Sequence, residues 1–176
     1  MKKNLGEEIT GTKTALLKAI DRFDQDNINT IPFEGSWTGG QVAEHVLKSA
    51  AGVLGAITGE VKPADRDPEL HVKQLADIFL NFNSKLQSPD FIIPSNEPKD
   101  KQYLLAALEK TFDGIARVVE SENLAMICTS FEMPVLGHMS RLEFINFTVF
   151  HTQRHIHQLD NILKHLKKHD NVKSIY

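Results

Sequence analysis

His151 and His155 stand four residues apart in the run His151-Thr152-Gln153-Arg154-His155-Ile156-His157-Gln158. His45 stands far upstream, at the end of Ser36-Trp37-Thr38-Gly39-Gly40-Gln41-Val42-Ala43-Glu44-His45. Imidazole is the commonest side-chain ligand for metals in proteins. A pair spaced i, i+4 is separated by about 40° around a helix, so both rings can reach one ion from one face. A third imidazole converging on them inside a bundle would leave coordination positions open for water or substrate. Three neutral histidines suit Zn, Ni or Fe, and affinity order alone does not choose among these. A divalent ion so held lowers the pKa of a bound water or thiol, or polarises a carbonyl. The competing reading is that the histidines are hydrogen-bonded within a core and hold nothing.

Both segments read as helices, and their faces carry the argument further. Phe144 and Phe147 precede the His151–His155 stripe on the same face, and Ile162 and Leu166 follow it. The stripe is therefore apolar at both ends and imidazole in the middle. His45 shares its face with Thr38, Gln41, Ser49, Gly52 and Ala56, with Val42, Val46 and Val53 to one side. A stripe of small residues around one histidine leaves room for water or a substrate. His157 falls on a different face and is expected to be exposed. His71, His165 and His169 lie near helix ends, and His138 sits where it could line a pocket mouth.

Five helical stretches must position these residues. The first runs from about Leu5 to Phe23, with Ile9, Leu16, Leu17, Ile20 and Phe23 on one side. The second runs from about Thr38 to Thr58, opened by a Thr38–Gln41 capping box and ended by Gly59. The third runs from about Glu69 to Leu86, and the fourth from about Lys101 to Ser121. Between Asn123 and Gly137 the pattern is ambiguous, and Ala125 to Phe131 reads as a short strand or a loop. The last runs from about Ser140 to Lys168, with Ser140 and Glu143 as a second capping box and lysines at its negative end. Amphipathic helices with little strand signal indicate an all-α bundle, a four-helix core with an extra short helix on a long crossover.

The chain has 176 residues, which fits a single domain spanning 1–176. Its net charge of −3 and scattered Lys and Arg give no electrostatic basis for nucleic-acid binding. No apolar run approaches the roughly 18 residues of a membrane span, and no signal-peptide core follows Met1-Lys2-Lys3. The single cysteine, Cys128, cannot form an intrachain disulfide and reads as a buried small hydrophobe. The expectation is a soluble cytoplasmic protein. The residue after His151 is Thr152, so the general-base glutamate of an H-E-x-x-H metalloprotease is missing. No nucleophile elbow, P-loop or dinucleotide fingerprint occurs.

At Trp37-Thr38 with His45, and again at His151 and His155, the chain resembles the DinB-like (DinB/YfiT) superfamily, whose members are read as metalloenzymes. The order and spacing of helices agree over nearly the whole chain. The resemblance implies an up-down-down-up four-helix bundle, often a homodimer, with His45, His151 and His155 binding a divalent metal, Zn or Ni. Relatives include S-transferases that use bacterial low-molecular-weight thiols and a mycothiol-dependent isomerase. This chain shows no obvious thiol-cofactor signature.

The leading expectation is thus a metal-dependent transferase joining a low-molecular-weight thiol to a small electrophile, the thiol serving as cosubstrate. Arg154 lies about 60° from His151 around the helix and could bind a carboxylate or make a structural ion pair, the latter favoured. Gln41 and Gln158 are candidates for orienting the ligands. Glu44 and Glu143 are candidate bases, with surface placement favoured for each. A metal-dependent hydrolase needs the same ligands and no thiol. A non-catalytic, stress-linked binding module or structural homodimer is the remaining class.

Overall fold

The computed structural model describes residues 2–173, with side chains for 4–168. Five α-helices form: α1 (Lys2–Asp21), α2 (Gly39–Thr58), α3 (Val72–Phe79), α4 (Lys101–Ser121) and α5 (Arg141–Lys173). Helices α1 and α2 each pack on both α4 and α5, and α3 packs on α5. The four long helices therefore form the bundle and α3 lies outside it on the crossover between α2 and α4.

Contacts at the helix ends give the directions. Lys101 Nζ, at the start of α4, donates to the carbonyl of Asp21, the last residue of α1. The Phe23 ring lies against Gly39, at the start of α2; a Cβ on Gly39 would come within 2.9 Å of that ring. Arg141, at the start of α5, donates through Nε to the carbonyl of Ile57 at the end of α2 (2.8 Å). Helix α1 thus runs opposite to α2 and α4, and α5 opposes them too. This is the up-down-down-up order.

The predicted apolar faces form the core. Ile9, Leu16, Ile20 and Phe23 from the first stretch are all buried, as are Leu104, Leu108, Phe112 and Ile115 of α4. Burial of each such side chain stabilises by about 1.5–3 kcal/mol. The Thr38–Gln41 capping box forms as expected, with Thr38 Oγ1 accepting from Gln41 N (3.1 Å) and Gln41 Oε1 from Thr38 N (3.0 Å).

Two expectations change. The third helix is eight residues long and stops at Phe79 rather than Leu86. Asn81 Oδ1 accepts from Asn83 N, and Ser84 Oγ donates to the carbonyl of Asn81. These local side-chain bonds compete with helix propagation. Phe82 prolonged the apolar pattern in sequence, but it leaves the helix and stacks on His157 with ring centroids 4.7 Å apart. The ambiguous stretch contains a two-residue strand, β2 (Ile127–Cys128), which pairs antiparallel with β1 (Val61–Lys62).

The second change concerns Glu143, which is fully buried rather than at the surface. It faces the crossover instead of solvent. Arg66 grips its carboxylate with two nitrogens (2.8 and 2.7 Å), and the backbone N–H groups of His71 (2.9 Å) and Ser140 (2.8 Å) donate to the same oxygens. Ser140 Oγ accepts in return from Glu143 N, so the second capping box is present. Burial alone would raise the Glu143 pKa. The Arg66 hydrogen bonds and the two backbone donors outweigh it and hold the carboxyl below its usual range. Glu143 therefore pins the segment before α3 to the first turn of α5.

Candidate metal centre

The antiparallel packing of α2 on α5 brings His45 opposite His151 and His155. The Nε2 of His151 lies 3.1 Å from the Nε2 of His45 and 3.1 Å from the Nε2 of His155. All three residues are buried, and one ligand atom from each falls within 4.8 Å of the others. Among the described residues this is the one convergence of three or more metal-ligating groups.

Hydrogen bonds on the far side of two rings determine which nitrogen faces inward. His45 Nδ1 donates to the carbonyl of Ile92 (2.9 Å), and His155 Nδ1 donates to Oε1 of Gln158 (2.8 Å). With those protons outward, the Nε2 atoms of His45 and His155 present lone pairs toward His151. His151 Nε2 can offer a proton to only one of them. The cluster holds more inward lone pairs than protons, an arrangement that a cation satisfies. Tetrahedral Zn–N bonds of about 2.0–2.1 Å would separate ligand nitrogens by roughly 3.3 Å, close to the spacing seen. The donor set fits a divalent ion.

The electrostatics point the same way. Burial pushes His155 down to about 3, with the neighbouring His45 adding to the shift against the Gln158 hydrogen bond. Burial, then His155, His45 and Arg154, hold His151 well below the ordinary imidazole value. Burial also lowers His45. At neutral pH all three are uncharged and ready to ligate. Aromatic rings fix their planes: Trp37 lies 5.1 Å from His45 between ring centroids, Phe147 stacks on His151 at 5.1 Å, and Phe79 meets His151 edge-on at 5.6 Å.

The cluster lies in the wall of an open cavity of about 1400 Å³. Ser49 and Gly52, members of the small-residue stripe around His45, also line it. Gln158 lines it and orients His155. Gln41 does not line it: its side chain is occupied by the α2 cap and by Ser95 and Asn96 of the crossover (both 3.3 Å). Arg154 lines the cavity, with its guanidinium donating to the carbonyls of Asn81 (2.8 Å) and Ser84. It anchors the turn that follows α3.

Glu44, next to His45, is half-buried and faces away from the cluster. Burial would raise its pKa, but Lys99 (2.7 Å), the Ser95 N–H (2.9 Å) and Lys48 hold it below its usual value. His138 bonds to the Phe131 carbonyl and the Glu132 carboxylate and does not line the cavity. His71 begins α3, His157 is exposed at the cavity rim, and His165 is exposed against Phe33. The side chain of His169 lies outside the described residues. Cys128 is buried, and burial raises its thiol to about 11, which removes it as a nucleophile.

Sequence reasoning did not find the Ile92 carbonyl, since a backbone acceptor leaves no mark in residue types. It also missed Phe79 as a ring neighbour of His151. The mixed apolar and polar character of α3 was the available signal.

A four-helix bundle with three inward imidazoles beside an open cavity defines a class of metal-binding bundle proteins. The family model of the DinB superfamily matches residues 8–159, and the chain belongs to that superfamily. No curated protein and no solved structure matches the chain. Among the described residues, no helix is long and apolar enough to cross a membrane.

Proposed function

We propose that this protein is a divalent-metal-dependent transferase that joins a low-molecular-weight thiol to an electrophile, with Zn or Ni at His45, His151 and His155. The observation that carries the reading is the convergence of three neutral imidazole nitrogens in the wall of an open cavity. A structural site would be closed by a fourth protein ligand, whereas a cavity leaves positions for reactants. The ion would supply Lewis-acid chemistry, favouring the thiolate form of a bound thiol at neutral pH.

The chain's own residues supply binding and orientation. The Ile92 carbonyl aims His45 and Gln158 aims His155, while Trp37, Phe79 and Phe147 pack against the His45 and His151 rings. The two candidate bases are engaged elsewhere, Glu44 with Lys99 and Glu143 with Arg66. A bound ion would ionise a water as it would a thiol, so the hydrolase stays the close alternative and dependence of turnover on thiol separates the two.

The test is metal content by mass spectrometry on wild type and His151→Ala, followed by turnover of monochlorobimane or chlorodinitrobenzene with and without thiol. About one divalent ion per chain in the wild type, lost in the variant, with thiol-dependent turnover, is the expected result. Absence of metal after reloading with Zn or Ni overturns the reading.

A further inference from the structure

The substrate class can be narrowed from the cavity itself. Eleven large apolar side chains are exposed among the described residues. Six of them, Phe33, Ile78, Phe82, Leu86, Phe91 and Ile93, line this one cavity. Scattered exposed apolar residues are ordinary, but a concentration at one concavity marks a ligand site. These side chains lie on three separate segments, so no single amphipathic element explains their exposure.

The charged groups of the cavity are committed or peripheral. Arg154 donates to two backbone carbonyls. Lys48 donates to the Ile93 carbonyl and pairs with Glu44. Lys85 and Asp90 are exposed and opposite in sign. Of the cationic side chains described in the lining, Lys85 alone has no protein partner, so the apolar walls outweigh charge as the means of recognition. The volume, about 1400 Å³, exceeds the roughly 300–1000 Å³ of a typical small-ligand pocket.

We infer that the cavity takes a substrate with an apolar body, aromatic or medium-chain acyl, whose polar group reaches the three histidines. This rests on the proposed metal-dependent reading only for the reacting end; the apolar body is recognised by the walls alone.

The full chain contains one tryptophan, Trp37, and it lines the cavity. Energy transfer from Trp37 to the uncharged probe N-phenyl-1-naphthylamine therefore reports the bound probe, and variants of the cavity wall locate it. Two variants should weaken it. Phe91→Ser removes an exposed wall ring, and Gly52→Leu projects into the cavity from a position where an added Cβ meets nothing within 4 Å. In metal-free protein we expect saturable transfer, weakened several-fold in both variants while their far-UV circular dichroism stays that of wild type.

In Zn-loaded protein, alkyl hydroxamates from acetohydroxamate to octanohydroxamate should tighten by about two- to fourfold per methylene. Absence of saturable transfer, or binding that is flat along the hydroxamate series, overturns the inference. If no hydroxamate binds, acetohydroxamate included, while the naphthylamine binds as expected, the metal reading fails and the apolar site stands.

Discussion

His45 Nδ1 donates to the carbonyl oxygen of Ile92 at 2.9 Å, joining an imidazole on α2 to the crossover that covers the cavity. Glu44 and Lys48 reinforce the same join, through the Ser95 N–H and the Ile93 carbonyl. The orientation of one imidazole of the cluster thus depends on chain that is 47 residues away in sequence. His155 is oriented differently, by Gln158 within its own helix.

That contrast makes Gln158 the cleaner probe of orientation. Gln158→Ala should weaken Zn binding by about 10–100-fold, the usual cost of losing a partner behind a ligand. Gln158→Glu keeps an acceptor and should restore the affinity. Competition with a chelator of known affinity reads both, and unchanged affinity in the alanine variant would show that the Gln158 bond does not orient His155.

The depressed imidazole pKa values predict how the metal-free protein responds to acid. In the folded chain His155 takes a proton only near 3 and His151 well below the ordinary value, whereas unfolded histidines titrate near 6.5. Between these limits the unfolded state binds more protons. Stability is therefore full above about pH 6.5 and falls as the pH drops below it. The slope is about 1.4 kcal/mol per pH unit for each buried neutral histidine. Thermal melts in chelator from pH 8 to 5 should show this decline, shallower by one proton in His155→Asn. A flat profile would mean that the imidazoles are not buried in neutral form.

Glu143 carries the largest expected stability effect. Its carboxylate is fully buried and accepts from Arg66 and two backbone N–H groups. Glu143→Ala leaves those donors and the Arg66 charge without their acceptor, which costs about 3 kcal/mol or more. For a chain of this size each kcal/mol moves Tm by roughly 2–4 °C, so a fall of about 6–12 °C is expected in calorimetry. Because the folded pKa is lowered, this contribution is present above the ordinary carboxylate range and is lost as the pH falls through the folded value. Replacing Arg66 and Glu143 together by Met and Leu should recover only the part due to the unpaired Arg66 charge, because the His71 and Ser140 N–H groups remain without an acceptor.

These residues also show what the sequence made legible. The i, i+4 pair at His151 and His155, interrupting an otherwise apolar stripe, identified the face of α5 that meets His45, because helical periodicity converts spacing directly into direction. The small stripe around His45 identified the cavity side of α2 for the same reason. Glu143 was misplaced because a capping-box glutamate looks alike whether its outer side meets solvent or an arginine. Arg66 comes from a loop with no period to read. The end of α3 was missed because Phe82 continues the apolar pattern while Asn81 and Ser84 stop the helix through side-chain bonds. Tertiary partners on irregular chain were invisible, while partners along one helix were not.

Arg154 tests that distinction at the site itself, since its sequence position allowed either a substrate carboxylate or a structural contact. Its guanidinium spans the carbonyls of Asn81 and Ser84, tying the turn after α3 to α5. Hydrogen bonds from a charged donor contribute about 1.5–3 kcal/mol each, less where solvent reaches them, and Arg154 is only half-buried. Arg154→Ala should therefore release the turn, and limited proteolysis should cut within residues 80–90 faster than in wild type. Zn affinity should stay near the wild-type value, because no metal ligand bonds to Arg154. Arg154→Lys should rescue only partly: one ammonium on a flexible stem does not reproduce a planar fork that reaches two carbonyls. If instead proteolysis is unchanged and the variant loses only binding of carboxylate-bearing thiols, Arg154 contacts the cosubstrate and the turn is held by its own asparagine and serine bonds.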